Sequence, residues 1–340
     1  MKKSLLALAA LTAFAGVASA QSSVTAFGIV DLAARNVKNG NAGSIKSLSP
    51  AGQATSRLGF RGIEDLGGGL RAGFWLEGQL DPDTGGTGYN FARRSTVSLM
   101  GSFGEIRLGR DLNPSYTSIG AFDPFNYVGV ASIANIRGQF VSLGGATTGV
   151  RTSNSIAYYL PAMGGLYGAF MVGAGEGTTG NKYMGGRLGY AAGPLNVSVA
   201  TAKTSKTGTM VDDLTSTNVG ASFNFGFATI GAAYEKSDYS TLDSKLATIY
   251  TTVPMGKGVF KAQYSRSGGS TNYDATQFGL GYVYSLSKRT SLYTNYGSIN
   301  NEGNAAGTVG ANFTSSGTGP AGMRRGQTST GYEFGVRHDF

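Results

Sequence analysis

The residues able to do chemistry in this chain are basic rather than nucleophilic. There are 28 Lys and Arg against 19 Asp and Glu, with one histidine and no cysteine. A Ser/His hydrolase needs an imidazole base beside its nucleophile. The single candidate, His338, stands in the alternating terminal segment on the side that carries Tyr332, Phe334, Val336 and Phe340. Disulfides and thiolate metal sites have no residues to form them. Among the carboxylates, Glu64, Asp65, Glu77 and Glu105 show no spacing that marks an acid/base pair. Asp81-Pro82-Asp83 and Asp212-Asp213 could offer oxygen ligands to a divalent cation, yet each is short and falls in an expected external loop, where it reads as solvated. What remains is positive charge, formally +9, with no Lys/Arg run longer than two. Short, scattered cations on an exported chain argue against nucleic acid as a partner and for action on small ions.

Export is indicated by residues 1–20. Lys2 and Lys3 form a positive n-region, Leu5 to Val17 an apolar stretch too short to span a bilayer, and Ala18-Ser19-Ala20 a small-residue cleavage site. The mature chain is expected to start at Gln21, leaving residues 21–340 as one domain. Glycine is abundant, at 55 residues, and interleaved with 18 Tyr and 18 Phe rather than gathered in polar tracts. That mixture suits strands that twist and turn tightly.

The strands are legible from their period of two. In the terminal segment Glu333, Arg337 and Asp339 face away from the apolar set; in Leu70 to Glu77, Leu70, Ala72, Phe74 and Leu76 oppose Arg71, Gly73, Trp75 and Glu77. One face wants lipid and the other water, as in a transmembrane β-barrel wall; an edge strand of a soluble sandwich alternates in the same way. Connections decide between them. Short turns at 65–69, 102–104, 162–165, 192–194, 225–226, 255–258 and 286–289 alternate with longer polar segments such as 37–53, 112–153 and 299–326. Seven such turns plus the junction of the chain ends predict about sixteen antiparallel strands, enough to enclose an aqueous channel. The charged faces then point to the lumen, because Arg or Lys on the lipid side costs about 2–4 kcal/mol near the midplane. Aromatics near strand ends are expected in interfacial girdles.

Four segments carry a family resemblance: Ser56 to Leu70 (SRLGFRGIEDLGGGL), Gly104 to Arg110 (GEIRLGR), Leu286 to Thr290 (LSKRT) and the terminal Arg337-His338-Asp339-Phe340. In this order they resemble the general-diffusion porins of Gram-negative outer membranes, betaproteobacterial branch, across essentially the whole mature chain. The resemblance implies an all-β, sixteen-stranded barrel in the outer membrane, in contact with lipid and lipopolysaccharide, that assembles as a homotrimer. It implies a third external loop folded into the pore, a terminal Phe340 read by the barrel-assembly machinery, passive passage of small hydrophilic solutes and ions, and no cofactor.

The same resemblance assigns the basic side of the constriction to Arg57, with Arg61 in the same segment, to Arg110, and to Arg151. Parity supports Arg57. It sends Arg110 outward if Ile106 and Leu108 face lipid, unless a bulge or an early strand end intervenes. The inward loop would be Leu112 to Ser153, whose apolar content, including Tyr116, Phe122, Phe125, Tyr127, Ile133 and Phe140, suits packing inside the barrel. The acidic Pro-Glu-Phe-Gly-Gly motif of enterobacterial relatives is missing. Between Leu112 and Arg151 the only carboxylate is Asp123, against Arg137. Such a pore is expected to prefer anions. A substrate-specific barrel channel and a secreted β-rich adhesin remain open; current block by solute would mark the first and extraction without detergent the second.

Overall fold

A computed structural model describes residues 23–86, 88–141, 148–176, 182–205, 212–270, 272–310 and 325–340. The expected signal segment 1–20, the mature start at Gln21 and the Phe140 side chain lie outside the described residues. The strands are β1 (Ser23–Asn39), β2 (Ser44–Ser49), β3 (Arg57–Gly67), β4 (Leu70–Gln79), β5 (Arg94–Gly101), β6 (Gly104–Leu112), β7 (Arg151–Tyr159), β8 (Leu166–Gly173) and β9 (Tyr183–Ala192). They continue as β10 (Leu195–Thr204), β11 (Leu214–Asn224), β12 (Thr229–Tyr239), β13 (Leu242–Met255), β14 (Gly258–Gly269), β15 (Ala275–Ser285), β16 (Thr290–Asn301) and β17 (Thr328–Asp339). Two short helices, α1 (Pro114–Gly120) and α2 (Ala134–Val141), lie between β6 and β7.

Every neighbouring pair is antiparallel, and β17 closes the sheet on β1, Ile29 facing Asp339 and Asn39 facing Ser329. The other edge of β1 pairs first with β3 over Ser23 to Ile29 and then with β2 over Ala33 to Lys38. Strands β2 and β3 therefore occupy one wall position, so seventeen segments make a sixteen-stranded barrel. The segment Ser44–Ser49 corrects the reading of 37–53 as one loop. Between β2 and β3 the chain leaves the wall, and the Asp31 carboxylate holds it by accepting from the backbone N–H groups of Gly52, Gln53 and Ala54.

Burial is inverted relative to a soluble protein. Val97, Leu99, Val199, Val219, Ile249 and Phe334 are exposed, whereas Ser198, Asn218, Glu235, Gln277 and Glu333, one residue or one strand away, are buried. An apolar outer band around a polar interior is the pattern of a membrane-spanning barrel. No helix among the described residues is long and apolar enough to cross a membrane. The expected short turns are present, with left-handed glycines such as Gly193, Gly226 and Gly256. Phe223, Phe225 and Phe227 cluster at one of them and project outward, as an interfacial girdle does. At the opposite end two connections, 240–241 and 270–274, are shorter than the long loops expected there.

The apolar core belongs mainly to the segment between β6 and β7. Ile119, Phe122, Val130, Ile133 and Ile136 are buried with Val37, Leu246, Ile299 and Val309. Helix α1 starts on an Asn-Pro pair: Asn113 Oδ1 accepts from the Tyr116 N–H at 2.7 Å, and Pro114 occupies a position where no N–H is needed.

Candidate channel constriction

The 112–141 segment runs from the end of β6 to the inward faces of distant strands. Asn218 Nδ2 donates to the Ser115 carbonyl, Ser118 Oγ meets Ser198 Oγ at 2.7 Å, Lys261 Nζ donates to the Pro124 carbonyl, and Gln277 Nε2 donates to the Ser132 carbonyl. The backbone passes close to the wall at Gly297 on β16, where a side chain would collide with the Val130 carbonyl.

Two ionic contacts anchor the segment. Arg137 reaches Glu235 of β12 through both Nε (2.6 Å) and Nη2 (2.8 Å), with both side chains almost fully buried. Burial alone would lower the Arg137 pKa, but the charge and hydrogen bonds of Glu235 together with the nearby Tyr127 and Tyr116 outweigh it and hold the guanidinium above its ordinary value. Glu333 of β17 accepts from the Val130 N–H, Asn295 Nδ2 and Arg35, the last as a buried ion pair at 2.7 Å.

The tip is organised by Asp123, which accepts from the N–H groups of Phe125 and Tyr127, both at 3.0 Å, and from Ser132 Oγ at 2.8 Å. Burial raises its pKa, and those three hydrogen bonds oppose the rise. The turn they close carries Asn126 and Tyr127 at φ 57° and 60°. For tyrosine that is a costly conformation. It is held by the Asp123 bond and by stacking of the Tyr127 ring on Tyr116, centroids 4.5 Å apart, with the Arg137 guanidinium 5.6 Å from each ring.

Between this tip and the wall formed by β17, β1 and β3 to β7 lies a cavity of about 460 Å³. On the loop side it is bounded by Tyr116, Thr117, Gly120, Asn126, Tyr127 and Val128, and on the wall side chiefly by Arg57, Arg93, Arg151 and Arg337. Four guanidinium groups meet two carboxylates there. Glu77 takes Arg93 at 2.8 Å and Arg57 at 3.4 Å, and Asp339 takes Arg337 through two bonds of 2.8 Å. Arg151 has no carboxylate partner among the described residues; its Nε donates to the Arg93 carbonyl at 2.7 Å. The loop side carries no carboxylate that reaches the cavity, because Asp123 is turned inward to its own backbone.

Of the arginines expected at this place, Arg57 and Arg151 border the cavity. Arg61 stays on β3 beyond it, between the rings of Phe27 (5.2 Å) and Trp75 (5.1 Å). Arg110 does not border it either: Nε donates to the Ala92 carbonyl and Nη1 to Ser153 Oγ. The register does shift beside it, between Gly109 and Asp111. Asp123 is used in the loop's internal bonding, and Arg137 in anchoring the loop to Glu235 on the wall. Arg93 and Arg337 were not singled out from the sequence. Arg337 could have been, since parity puts it on the polar face of the last strand; Arg93 precedes β5, where alternation gives no direction.

A closed, lipid-faced barrel with a polar lumen crossed by an inward segment is the architecture of an outer-membrane diffusion channel. The family model for Gram-negative porins matches residues 7–304. The chain is 40% identical, over the full length of both chains, to outer membrane porin protein 32 of Delftia acidovorans, and 31% identical to an outer membrane porin protein of Bordetella pertussis, covering 88% of this chain and 94% of that one. Its fold matches the anion-selective porin from Comamonas acidovorans with a TM-score of 0.85 at 38% identity, covering 94% of this chain and 100% of the other. The Vibrio cholerae outer membrane protein OmpT, in a trimer form, matches in fold alone, with a TM-score of 0.66 at 15% identity over 94% and 99% of the two chains. The chain belongs to the Gram-negative porin family, and is an outer-membrane pore rather than an enzyme.

Proposed function

We propose that this porin passes small hydrophilic solutes with a preference for anions, and that the selecting surface is Arg57, Arg93, Arg151 and Arg337 facing the tip of the 112–153 loop. The observation that carries the reading is the charge surplus at the cavity: four guanidinium groups, two carboxylates, and none from the loop. In a narrow lumen with low-dielectric walls such a surplus raises the local anion concentration and repels cations. The 38% identical solved porin is described as anion-selective, which supports the same preference here. Assembly as a homotrimer, removal of residues 1–20 on export and recognition of Phe340 by the barrel-assembly machinery complete the proposal.

The test is the reversal potential of the refolded protein in a planar bilayer under a KCl gradient. A chloride-favouring potential that falls in Arg57→Ala and Arg151→Ala supports the assignment. A cation-favouring potential, or one the substitutions leave unchanged, removes these residues from selectivity.

A further inference from the structure

Three connections leave the wall on the side of β16, β17 and β1, and all three finish on one buried ion pair. Arg35 of β1 and Glu333 of β17 face each other directly in register, both almost fully buried. Arg35 donates from Nε to Glu333 Oε2 at 2.8 Å, from Nη2 to the Ala51 carbonyl at 3.2 Å and from Nη1 to the Gly310 carbonyl at 3.3 Å. Glu333 Oε1 accepts from the Val130 N–H at 3.3 Å and from Asn295 Nδ2, which also donates to the Gly52 carbonyl. Residues 51–52, 130 and 310 belong to three different connections. Taking two charges out of water is costly, and good geometry repays the cost only when their remaining donors and acceptors are filled. Here the filling is shared among the three, so none can withdraw without leaving a buried charge short of a partner.

The segment 302–310, which follows β16, enters the lumen beside the constriction loop. Asn301 clamps Gly307 through both backbone groups, Oδ1 accepting from its N–H at 2.7 Å and Nδ2 donating to its carbonyl at 3.0 Å. Val309 is fully buried and donates its N–H to Ser329 Oγ, which in turn donates to Asn39 Oδ1. Val309 and Val130 close over the same point of the wall: a Cβ on Gly331 of β17 would lie 2.8 Å from Val309 Cγ2 and 3.2 Å from Val130 Cγ1. At Gly129 and Gly310, with φ of 77° and 73°, a side chain would strike Glu333 or Arg35. The other side of the segment is open. Glu302, Gly303 and Ala306 are exposed, and the N–H groups of Glu302 and Asn304 bond the Asp274 and Asn272 carbonyls before β15. One end of this unit therefore meets the outer medium, and the other meets the constriction loop.

We infer that 302–310 positions the constriction from outside: it and the 112–141 loop seat or lift as one unit, with Arg35, Glu333 and Val309 as the positioning residues. Seated, the unit fills the lumen along β16, β17 and β1 and confines passage to the arginine wall. Lifted, it adds cross-section on a side that lacks the arginine surplus, so conductance rises and chloride preference falls. Only the second of these effects rests on the selectivity proposed above.

The test is single-channel recording of the refolded protein in planar bilayers, with the reversal potential measured alongside. Glu333→Gln should raise the fraction of time spent at a higher conductance level at least about tenfold, the factor set by weakening hydrogen bonds to a buried charge. Val309→Asp, which puts a charge into the apolar contact, should reach the same level and no other; Val309→Ala, a milder change, carries the test if that variant does not refold. In Glu333→Gln, a disulfide joining Val309→Cys to Gly331→Cys, the only thiols in the chain, should remove the level, and reduction should restore it. Glu302→Gln, on the exposed side of the segment, should leave the parent behaviour unchanged. Different levels in the Glu333 and Val309 variants, persistence of the level in the crosslinked form, or an equal rise in Glu302→Gln would overturn the inference. A shared higher level with undiminished chloride preference would support the coupling and count against the arginine wall as the selecting surface.

Discussion

The inner wall of this barrel is two surfaces that use the same residue types for opposite ends. Along β3 to β7 and the end of β17, Arg57, Arg93, Arg151 and Arg337 border open space, Arg57 and Arg93 sharing one carboxylate, while Arg107 beyond them is paired with Glu105 and Asp111. Along β10 to β17 and β1, charges are buried and consumed in pairs: Glu235 with Arg137, Glu333 with Arg35. The first surface leaves its charge available to a passing ion. The second spends its charge on holding the loop that narrows the passage. A count of charged residues would treat the two alike; only burial and pairing separate them.

The comparison breaks most severely if the anchored half is released. Replacing Glu235 by Ala leaves the Arg137 guanidinium buried without its partner, which for such pairs costs about 3–5 kcal/mol. The expected outcome is a larger and noisier single-channel conductance in planar bilayers, with the barrel still folded because its strand pairing is untouched. Asp123→Ala should act in the same direction and with comparable size, since it removes the acceptor of three hydrogen bonds at the tip, each worth about 1.5–3 kcal/mol when the acceptor is charged, and the negative charge nearest Lys261. Unchanged conductance in both would mean that apolar packing of Phe122, Ile133 and Ile136 holds the loop without them.

On the open half, the effect should follow pairing. Arg151 lacks a carboxylate, so Arg151→Ala removes a whole uncompensated charge. At about 8 Å through water such a charge is worth about 0.5 kcal/mol to a monovalent ion, and favours chloride as it disfavours potassium. The permeability ratio should fall roughly two- to fivefold. Glu77→Gln should move it the other way, freeing Arg57 and Arg93. Reversal potentials under a KCl gradient check both. They should converge on the parent value between 0.1 and 1 M salt, as the screening length shrinks from about 10 to about 3 Å.

How much of this was legible in the sequence depends on what alternation can encode. Period-two patterning and glycine turns located the wall strands and the inward sense of Arg57, Glu77 and Arg337, because side-chain direction along a strand is fixed by parity. The break between β2 and β3 was not legible. Strand β2 is held on β1 by register, and the excursion after it is held by Asp31, twenty-one residues upstream of Gly52. Arg137 looked like a pore charge in the sequence, because its partner Glu235 is 98 residues away. Arg93 lies just before the start of β5, where alternation gives no direction. Sequence spacing says which face a residue takes and says nothing about which distant group neutralises it.

The smallest effects should come from the two arginines that the family resemblance placed at the constriction and the geometry places beside it. Arg110→Ala removes hydrogen bonds to the Ala92 carbonyl and Ser153 Oγ, so its first effect is on how the chain enters β5 and β7. Arg61 is held between Phe27 and Trp75, and Trp75 also carries Arg94 at 4.4 Å. With Arg94 in place, Arg61→Ala removes one of two cations at that ring. Each substitution should shift the reversal potential by less than half of the Arg151→Ala shift, and Arg61→Ala should do so without changing conductance. If Arg110→Ala instead matched Arg151→Ala, the selecting field would extend beyond the four arginines at the cavity to the wall around β6, and the division between an open and an anchored half would have to be redrawn as a gradient along the lumen.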